Sequence, residues 1–390
     1  MHVLLIPSWY PEHPGDFTGS FFAEQAEALV HAGHTVGVLA VSGTPSYHPG
    51  RIRERPRGPR SSVENGVAVL RKHIVVPLPL LHTINQRAWN AAWQSLYRAY
   101  VDEFGIPDVL HAHSMFPGGL AAAALSRRSG VPYVITEHRP SSMARLTEPG
   151  MRTLARRAAR GAGARVAVAR GFVSELDTAY GLPGAWQYVP GLLSPQFEHV
   201  APRSMPPGPF TVGHVSHLDP GKRVSLLIEA FSDAFSDGDE RLRVAGDSVH
   251  RPGLEDVARR EGIADRVDFV GAVPRADIAA EFARHHVFAL PSEAEAFGTV
   301  LWEAMACGIP VVSTQTWAGR NAISDRTGLL VPIDDRAALA AALRSIRDSI
   351  NAFDAGEIRA LCLAHCGEAA FVSQYTEIYR RAVVESEGNA

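Results

Sequence analysis

Two carboxylates, Glu295 and Glu303, lie on either side of a Phe-Gly-Thr triplet in the stretch SEAEAFGTVLWEAMACGIPVV, residues 292–312. The first carboxylate follows an apolar strand pattern, and Phe297-Gly298-Thr299 open a helical pattern. The first turn of a helix leaves unpaired, partly positive N–H groups that suit a phosphate, and glycine lets a ligand come close. The spacing therefore predicts a ligand with a diphosphate and hydroxyl groups on both sides. The alternative is that Glu295 caps the helix and Glu303 lies on the surface.

Short apolar runs alternate with helical patterns and predict the elements that position these residues. In the first half of the chain, strands are predicted at 2–7, 35–41, 107–113 and 132–138, with helices at 20–33 and 117–129. After a stretch rich in Pro and Gly, strands are predicted at 210–216, 241–246, 267–271, 287–292 and 310–314, with helices at 223–236, 253–262, 275–284 and 298–307. This alternation predicts an α/β fold with parallel sheets and right-handed crossovers.

The break between the two halves predicts two Rossmann-like, doubly wound domains that face each other across a cleft. The expected boundaries are 1–190 for the first domain, 191–209 for a linker and 210–370 for the second domain. A C-terminal helix at about 371–390 is expected to pack back on the first domain. Ligands of such sheets bind at the carboxyl ends of the strands, which makes the cleft the expected site.

Composition excludes several classes of protein. The 390 residues are 46% hydrophobic and 20% charged with a net charge of −3, so the chain can bury large cores and has no strong charge to attract nucleic acid. Three cysteines fit a reduced, cytoplasmic protein. The expected assembly is a monomer or a homodimer. No signal peptide or spanning segment is recognisable, so contact with a membrane is expected to be peripheral at most.

Two basic segments break the α/β pattern. Residues 48–62 hold five arginines between prolines and glycines, and a mobile surface loop is predicted there. A second run on a predicted helix is expected to be a solvated face; it contains Arg145, Arg152, Arg156, Arg157 and Arg160. The alternative for both segments is a surface that attracts an anionic acceptor or lipid headgroups.

Three histidines lie at predicted strand ends. His111 and His113 are two residues apart and face the same side of their strand, and His138 ends the next strand. A metal cluster is one alternative, but the carboxylates that usually support such ligands are not evident. The favoured interpretation is that one histidine of the pair packs at the top of the sheet while the other lines the site.

The stretch PSEAEAFGTVLWEAMACGIPVV resembles the retaining glycosyltransferases of family 4, whose signature is two glutamates separated by seven residues. A small-residue helix and a G-x-P-V-V strand follow, as in the family. The resemblance spans nearly the whole chain and is densest from 210 to 332. It implies the GT-B fold, a donor held mainly by the C-terminal domain, and a reaction without metal or other cofactor.

Further blocks carry the resemblance in the second half. In VSHLDPGKRVSLLIEAF, Lys222 matches a lysine that binds the diphosphate, whereas His217 occupies the place of the family's arginine, a loss for which Arg223 could compensate. The resemblance also implies that backbone near Val273 reads the base. The full set of residues it implies for the donor is Gly19, His217, Lys222, Arg223, Gly246, Asp247, Val273, Glu295, Ala296, Phe297, Gly298, Thr299 and Glu303.

The N-terminal half matches the family more loosely, through PSWYPEHPGDFTGSFFAEQAEALVHAGHTV, PDVLHAHSMFPGGLAAA and VPYVITEH. His138 falls on the family's strand-end histidine, which contacts the donor sugar near the reacting carbon. Residues implied for the acceptor side are Gly15, Asp16, Phe17, His113 and His138. Those implied for catalysis are His138, Glu295 and Lys222.

The resemblance implies transfer, with retention, of a sugar from a nucleotide-diphosphate sugar to a hydroxyl of a small natural-product or saccharide acceptor. UDP is favoured over GDP as the nucleotide. One alternative is a cell-envelope or lipid-linked saccharide as acceptor. Others are an epimerase or hydrolase of the same shape, and a protein that binds the nucleotide sugar without transferring it.

Overall fold

A computed structural model describes residues 1–13, 16, 19–55, 58–77 and 81–388, without the side chain of Ser142. The chain divides into two compact units. The first unit comprises Met1–Leu192 and Phe371–Ala390, and the second comprises Leu193–Ala370. Most of the segment expected as a linker therefore clusters with the second unit.

In the described part of the first unit, the strands are β1 (His2–Pro7), β2 (Thr35–Pro45), β3 (Arg60–Glu64), β4 (Val67–Val76), β5 (Val109–His113), β6 (Tyr133–Glu137), β7 (Ala164–Ala167) and β8 (Gln187–Tyr188). The helices before the second unit are α1 (Ser20–His31), α2 (Pro49–Arg53), α3 (His82–Phe104), α4 (Leu120–Ser129), α5 (Pro149–Gly161) and α6 (Arg170–Tyr180). The strands form one sheet in the order β3-β4-β2-β1-β5-β6-β7-β8. Its central strands are almost wholly buried, as expected for a parallel sheet covered on both faces.

The arginine-rich segment 48–62 is not a loop throughout, so that prediction is wrong for part of it. Residues 49–53 form α2, and residues 60–62 begin the edge strand β3, which pairs antiparallel with β4. The pair is joined through Asn65 and Gly66, both with positive φ, which is typical of a tight hairpin turn. The sheet is therefore parallel except at this edge.

The second unit contains the parallel strands β9 (Thr211–Val215), β10 (Arg241–Ala245), β11 (Val267–Gly271), β12 (Val287–Leu290), β13 (Val311–Thr314) and β14 (Gly328–Val331). Its helices are α7 (Val224–Ala234), α8 (Arg251–Arg260), α9 (Ile278–Phe282), α10 (Thr299–Ala306), α11 (Trp317–Ala322), α12 (Arg336–Asp348) and α13 (Ala355–Cys366). The strand order is β11-β10-β9-β12-β13-β14. Strands β10 and β11 are added on one side of β9, and strands β12 to β14 are added on its other side. The switch point between β9 and β12 is where ligands of such sheets bind.

The last helix, α14 (Glu368–Gly388), returns to the first unit. Phe371, Tyr375 and Tyr379 lie in the same hydrophobic core as Val3 of β1 and Phe22 of α1. Among the described residues, no helix has the length and apolar composition required to cross a bilayer. Short 3-10 turns cover Pro140–Thr147, Pro195–Phe197, Pro220–Lys222, Ala264–Arg266, Arg275–Asp277 and Ile350–Ala352.

Candidate active site

The switch point of the second unit brings Lys222 and Glu295 together. Lys222 ends the 3-10 turn after β9, and Glu295 lies in the loop between β12 and α10. The lysine Nζ is 2.5 Å from Oε1 of Glu295, and the hydroxyl of Ser292 donates to the same oxygen at 2.9 Å. The side chain of Glu295 is 13% exposed and is oriented by both donors. It does not cap α10, whose N-cap is Gly298, so that alternative is wrong.

Gly298 is required by its backbone conformation and by its neighbours. Its φ is 67°, and a Cβ built there would lie 2.8 Å from Cβ of Ala318. Phe297 stacks on Trp302 one turn into the helix, with ring centroids 5.8 Å apart. The backbone is thus turned sharply into the start of α10, where residues 296–298 are half-buried and Thr299 is exposed. The first-turn N–H groups of a helix suit a phosphate.

Glu303 is buried, with 5% of its surface exposed, so the alternative that it lies on the surface is wrong. Its Oε1 accepts a hydrogen bond from Nη1 of Arg275 at 3.2 Å. Arg275 begins the turn after β11, two residues beyond Val273. The backbone near Val273, which is expected to contact the base, is therefore linked through Arg275 to the helix that carries Glu303.

The residues expected to supply positive charge differ in their surroundings. His217 is exposed just beyond β9. Arg223 has a φ of 53° and forms ion pairs with Glu293 at 2.7 Å and with Asp334 at 3.1 Å. Arg223 therefore pairs with two carboxylates, whereas Lys222 pairs with one, Glu295.

Gly246 and Asp247 follow β10 at the same edge of the sheet. Gly246 has a φ of 131°, and a Cβ there would lie 1.8 Å from the carbonyl oxygen of Ser216. Its N–H donates to the carbonyl of Gly271 at 2.7 Å, which closes the end of the sheet, and Asp247 is exposed beside it. Only glycine fits this turn.

In the first unit, the three histidines have different roles. His111 is buried, with Nδ1 2.7 Å from the hydroxyl of Tyr379 and Nε2 2.8 Å from the hydroxyl of Thr136. Both ring nitrogens are occupied by protein groups, and burial lowers the pKa of His111 to about 3. Within the residues that the structure describes, no three His, Cys, Asp or Glu side chains are grouped to hold a metal ion.

His113 is also fully buried, contrary to the expectation that one histidine of the pair lines the site. Its Nδ1 lies 3.1 Å from Nε2 of His138, which directly follows β6 and is half-buried. Phe22 packs against both rings, with centroids 4.6 Å from His113 and 5.0 Å from His138. Of the three histidines, His138 alone is partly exposed. The buried part of its ring, and then the charge of Arg139, lower its pKa to about 3.

The loop before α1 is described only in part. Gly15 and Phe17 lie outside the described residues. Asp16 accepts a hydrogen bond from the N–H of Glu12 at 3.0 Å. Gly19 has a φ of 79°, and a Cβ there would lie 2.8 Å from Cδ1 of Trp9, so a glycine is required where α1 begins.

Sequence reasoning missed three polar groups next to these residues. Ser292 and Arg275 contact the two glutamates, and the fully buried Glu137 accepts a hydrogen bond from the N–H of Met115 at 2.9 Å. Ser292 lies three residues before Glu295, a spacing that could have signalled it. Arg275 gives no such signal, since its contact with Glu303 depends on how the strands are ordered.

Comparison with known proteins identifies related sequences and a similar fold. Residues 209–349 match the family described as Glycosyl transferases group 1, and residues 18–191 match Glycosyltransferase Family 4. A D-inositol 3-phosphate glycosyltransferase of Kineococcus radiotolerans is 33% identical over 43% of each chain. D-inositol 3-phosphate glycosyltransferase 2 of Catenulispora acidiphila is 29% identical over 72% of each chain. Anabaena HepE, solved in complex with UDP, has a TM-score of 0.72 at 18% identity, covering 97% of this chain and 99% of HepE.

Proposed function

Because this chain belongs to the family 4 glycosyltransferases and has the GT-B fold, we propose that it transfers a sugar from a nucleotide-diphosphate sugar to a hydroxyl of a small natural-product or saccharide acceptor, with retention. The second unit binds the donor and the first unit binds the acceptor. The observation that carries the proposal is the contact at the switch point between Lys222 and Glu295, which lies in the loop that leads into α10.

The donor's three parts are assigned to three features of the second unit. Lys222 and the first-turn N–H groups of α10 bind the diphosphate and stabilise the negative charge that develops as it departs. Glu295 accepts hydrogen bonds from hydroxyls of the transferred sugar. Glu303 accepts them from the ribose diol, with Arg275 orienting its carboxylate. The assignment to sugar and ribose follows from the family resemblance.

Retention follows if the acceptor attacks the face that the diphosphate leaves, through an oxocarbenium-like state. The departing phosphate oxygen then takes the acceptor's proton, so the reaction requires no protein nucleophile. Lys222 supplies the cation that the leaving group needs, and we therefore expect transfer to persist in the presence of EDTA. The complex of HepE with UDP supports UDP as the nucleotide. The D-inositol 3-phosphate glycosyltransferases among the relatives of this chain support a small polar acceptor.

The proposal is tested by measuring thermal unfolding with UDP, GDP and ADP. A ligand that binds only the folded state at a hundred times its Kd adds about 2.7 kcal/mol of stability. We expect UDP to stabilise the protein most, and Lys222→Ala to abolish much of this effect. The UDP-sugars are then incubated with panels of polyols, saccharides and lipid-linked acceptors, and the anomeric configuration of the product is determined.

Incubation with the donor alone separates the alternatives. An epimerised sugar, or free sugar released as fast as transfer to the best acceptor, would contradict a transferase. Transfer only to lipid-linked saccharides would correct the acceptor class. Tight binding of UDP without turnover on any acceptor would indicate a binding protein.

A further inference from the structure

The contact between His113 and His138 allows two arrangements of protons. Nδ1 of His113 is 3.1 Å from Nε2 of His138, so one of these nitrogens donates and the other accepts. Burial favours the neutral form of both rings, because it lowers the pKa of each imidazole well below its usual value. A neutral imidazole has one N–H. The direction of the hydrogen bond at this contact therefore also determines whether the other nitrogen of each ring carries a proton.

The remaining nitrogen of His113 decides between the two arrangements. Its Nε2 is buried and has no hydrogen-bond partner in the described parts of the chain. His111, whose ring centroid is 4.1 Å away, cannot serve, since Tyr379 and Thr136 occupy its nitrogens. A proton on Nε2 of His113 would bury an unpaired donor, whereas a proton on Nδ1 leaves only an unused lone pair. An orphaned N–H is the costlier of the two.

We infer that His113 is a positioning residue whose Nδ1–H donates to Nε2 of His138, which holds His138 in the tautomer protonated on Nδ1. His138 then presents an N–H donor to a substrate oxygen and does not act as a general base. The statement about substrate rests on the proposed function, whereas the statement about the tautomer does not.

The surrounding structure holds both rings in place for this contact. His113 pairs with Thr136 where β5 and β6 run side by side, and His138 lies two residues further along. Phe22 packs against both imidazoles, and Phe21 lies 5.5 Å from His138 between ring centroids. His113 therefore cannot turn to offer the other nitrogen without moving this aromatic cluster.

The tautomer is measured directly by long-range ¹H–¹⁵N correlation on the intact protein labelled in its 17 histidines, with His138→Gln used to assign the signal. We expect Nδ1 of His138 to resonate as a protonated nitrogen and Nε2 as an unprotonated one at pH 7. The opposite pattern would overturn the inference. This readout needs no substrate, so it stands even if no glycosyl transfer is found.

Two variants test the role in turnover. His113→Leu removes the donor, and His113→Asn keeps an N–H near the place of Nδ1. We expect about a tenfold loss of kcat/KM in His113→Leu, recovery to within about threefold in His113→Asn, and an unchanged Kd for UDP in both. Equal losses in both variants, or wild-type turnover in His113→Leu, would refute the positioning role. If His113→Leu does not fold, the nitrogen signals of the wild-type protein decide.

Discussion

The ammonium group of Lys222 lies 2.5 Å from a carboxylate oxygen of Glu295, where the strand order of the second unit reverses. The two residues are 73 positions apart in the chain and meet because β9 and β12 are neighbours. In the ligand-free protein each charge compensates the other. A bound diphosphate would compete with Glu295 for the same ammonium group.

Replacing the two partners singly should therefore affect binding and turnover differently. Lys222→Ala is expected to weaken UDP binding by about tenfold or more, because a charge-assisted hydrogen bond is lost. Glu295→Gln should bind UDP at least as tightly as the wild type, since a carboxylate beside the diphosphate is removed. Its transfer rate should fall by about a hundredfold. Calorimetry with UDP and initial rates with the UDP-sugar measure both effects.

Glu293→Gln is the matched control, because it makes the same change two residues away on an exposed side chain that pairs with Arg223. Its transfer rate is expected to stay within about threefold of the wild-type rate, as for most exposed ion pairs. Wild-type turnover in both Lys222→Ala and Glu295→Gln would rule out this site.

Glu303 should determine the preference for ribose. Glu303→Gln is expected to weaken UDP binding by about tenfold, since the buried carboxylate accepts stronger hydrogen bonds than an amide does. The dideoxy analogue of UDP, which lacks the ribose diol, should bind equally to both forms. Glu357→Gln, which removes a surface carboxylate paired with Arg326, is the control. The assignment of Glu303 to the ribose fails if the Kd for the dideoxy analogue divided by the Kd for UDP is the same in Glu303→Gln and in the wild type.

The family resemblance predicts an arginine at the position of His217, and the exposed position of His217 leaves room for that longer side chain. His217→Arg is expected to bind UDP about fivefold more tightly at low salt, and the gain should shrink as salt is added. His199→Arg, at another exposed position of the second unit, tests whether an added positive charge alone is enough to tighten UDP binding. A large loss of UDP affinity in His217→Arg would show that the histidine has a different role.

Gly298→Ala should destabilise the second unit by about 1–2 kcal/mol, because its φ of 67° and the nearby Cβ of Ala318 both oppose a side chain. UDP affinity should fall as well, since the start of α10 must shift. Gly253→Ala, in α8 with no atom within 4 Å of the added Cβ, should be neutral or stabilising by up to about 1 kcal/mol. Urea unfolding measures the free energy of unfolding of both variants. Equal changes in Gly298→Ala and Gly253→Ala would contradict the prediction.

Acid should weaken the second unit partly through His214 of β9. Burial lowers the pKa of His214 to about 4, and its nitrogens lie 2.9 Å from the carbonyl of Ala289 and 2.8 Å from the hydroxyl of Ser216. The unfolded chain takes up a proton near pH 6.5 and the folded chain only near pH 4, so the stabilisation is complete above pH 6.5 and is lost as the pH falls through this window.

Between pH 7 and pH 5, His214→Gln should therefore lose about 2 kcal/mol less free energy of unfolding than the wild type. Urea unfolding at the two pH values measures the difference. His250→Gln, which changes an exposed histidine, should keep the wild-type dependence. An unchanged dependence in His214→Gln would contradict the prediction.

The sequence predicted the two doubly wound domains because the apolar runs and helical patterns are strong and regular. Strand 267–271 was found with the predicted bounds, and α1 and α10 lie within their predicted ranges. The edge hairpin β3–β4 was missed, although Asn65-Gly66 is a turn signal, because arginines and prolines dominated the interpretation of that segment. The helix predicted at 275–284 is a 3-10 turn followed by the five-residue α9.

For the candidate site, local sequence placed Glu295 and Gly298 correctly relative to α10, because both depend on one loop and its turn. The ion pairs of Lys222 and Glu303 could not be predicted from pattern alone. Each joins segments that only the strand order makes neighbours. The burial of His113 could not be predicted either. Residues two apart on a strand face the same side of the sheet, whether that side is exposed to solvent or covered by other side chains.

The return of α14 to the first unit affects the order in which the chain can fold during synthesis. The second unit is continuous in sequence, so its residues leave the ribosome before the part of α14 that belongs to the first unit, which starts at Phe371. The first unit receives Tyr375 and Tyr379 among its last core residues. Until they arrive, the strand that carries His111 and His113 lacks the tyrosine hydroxyl bonded to His111. The proposed acceptor unit is therefore finished after the donor unit, although its synthesis begins first.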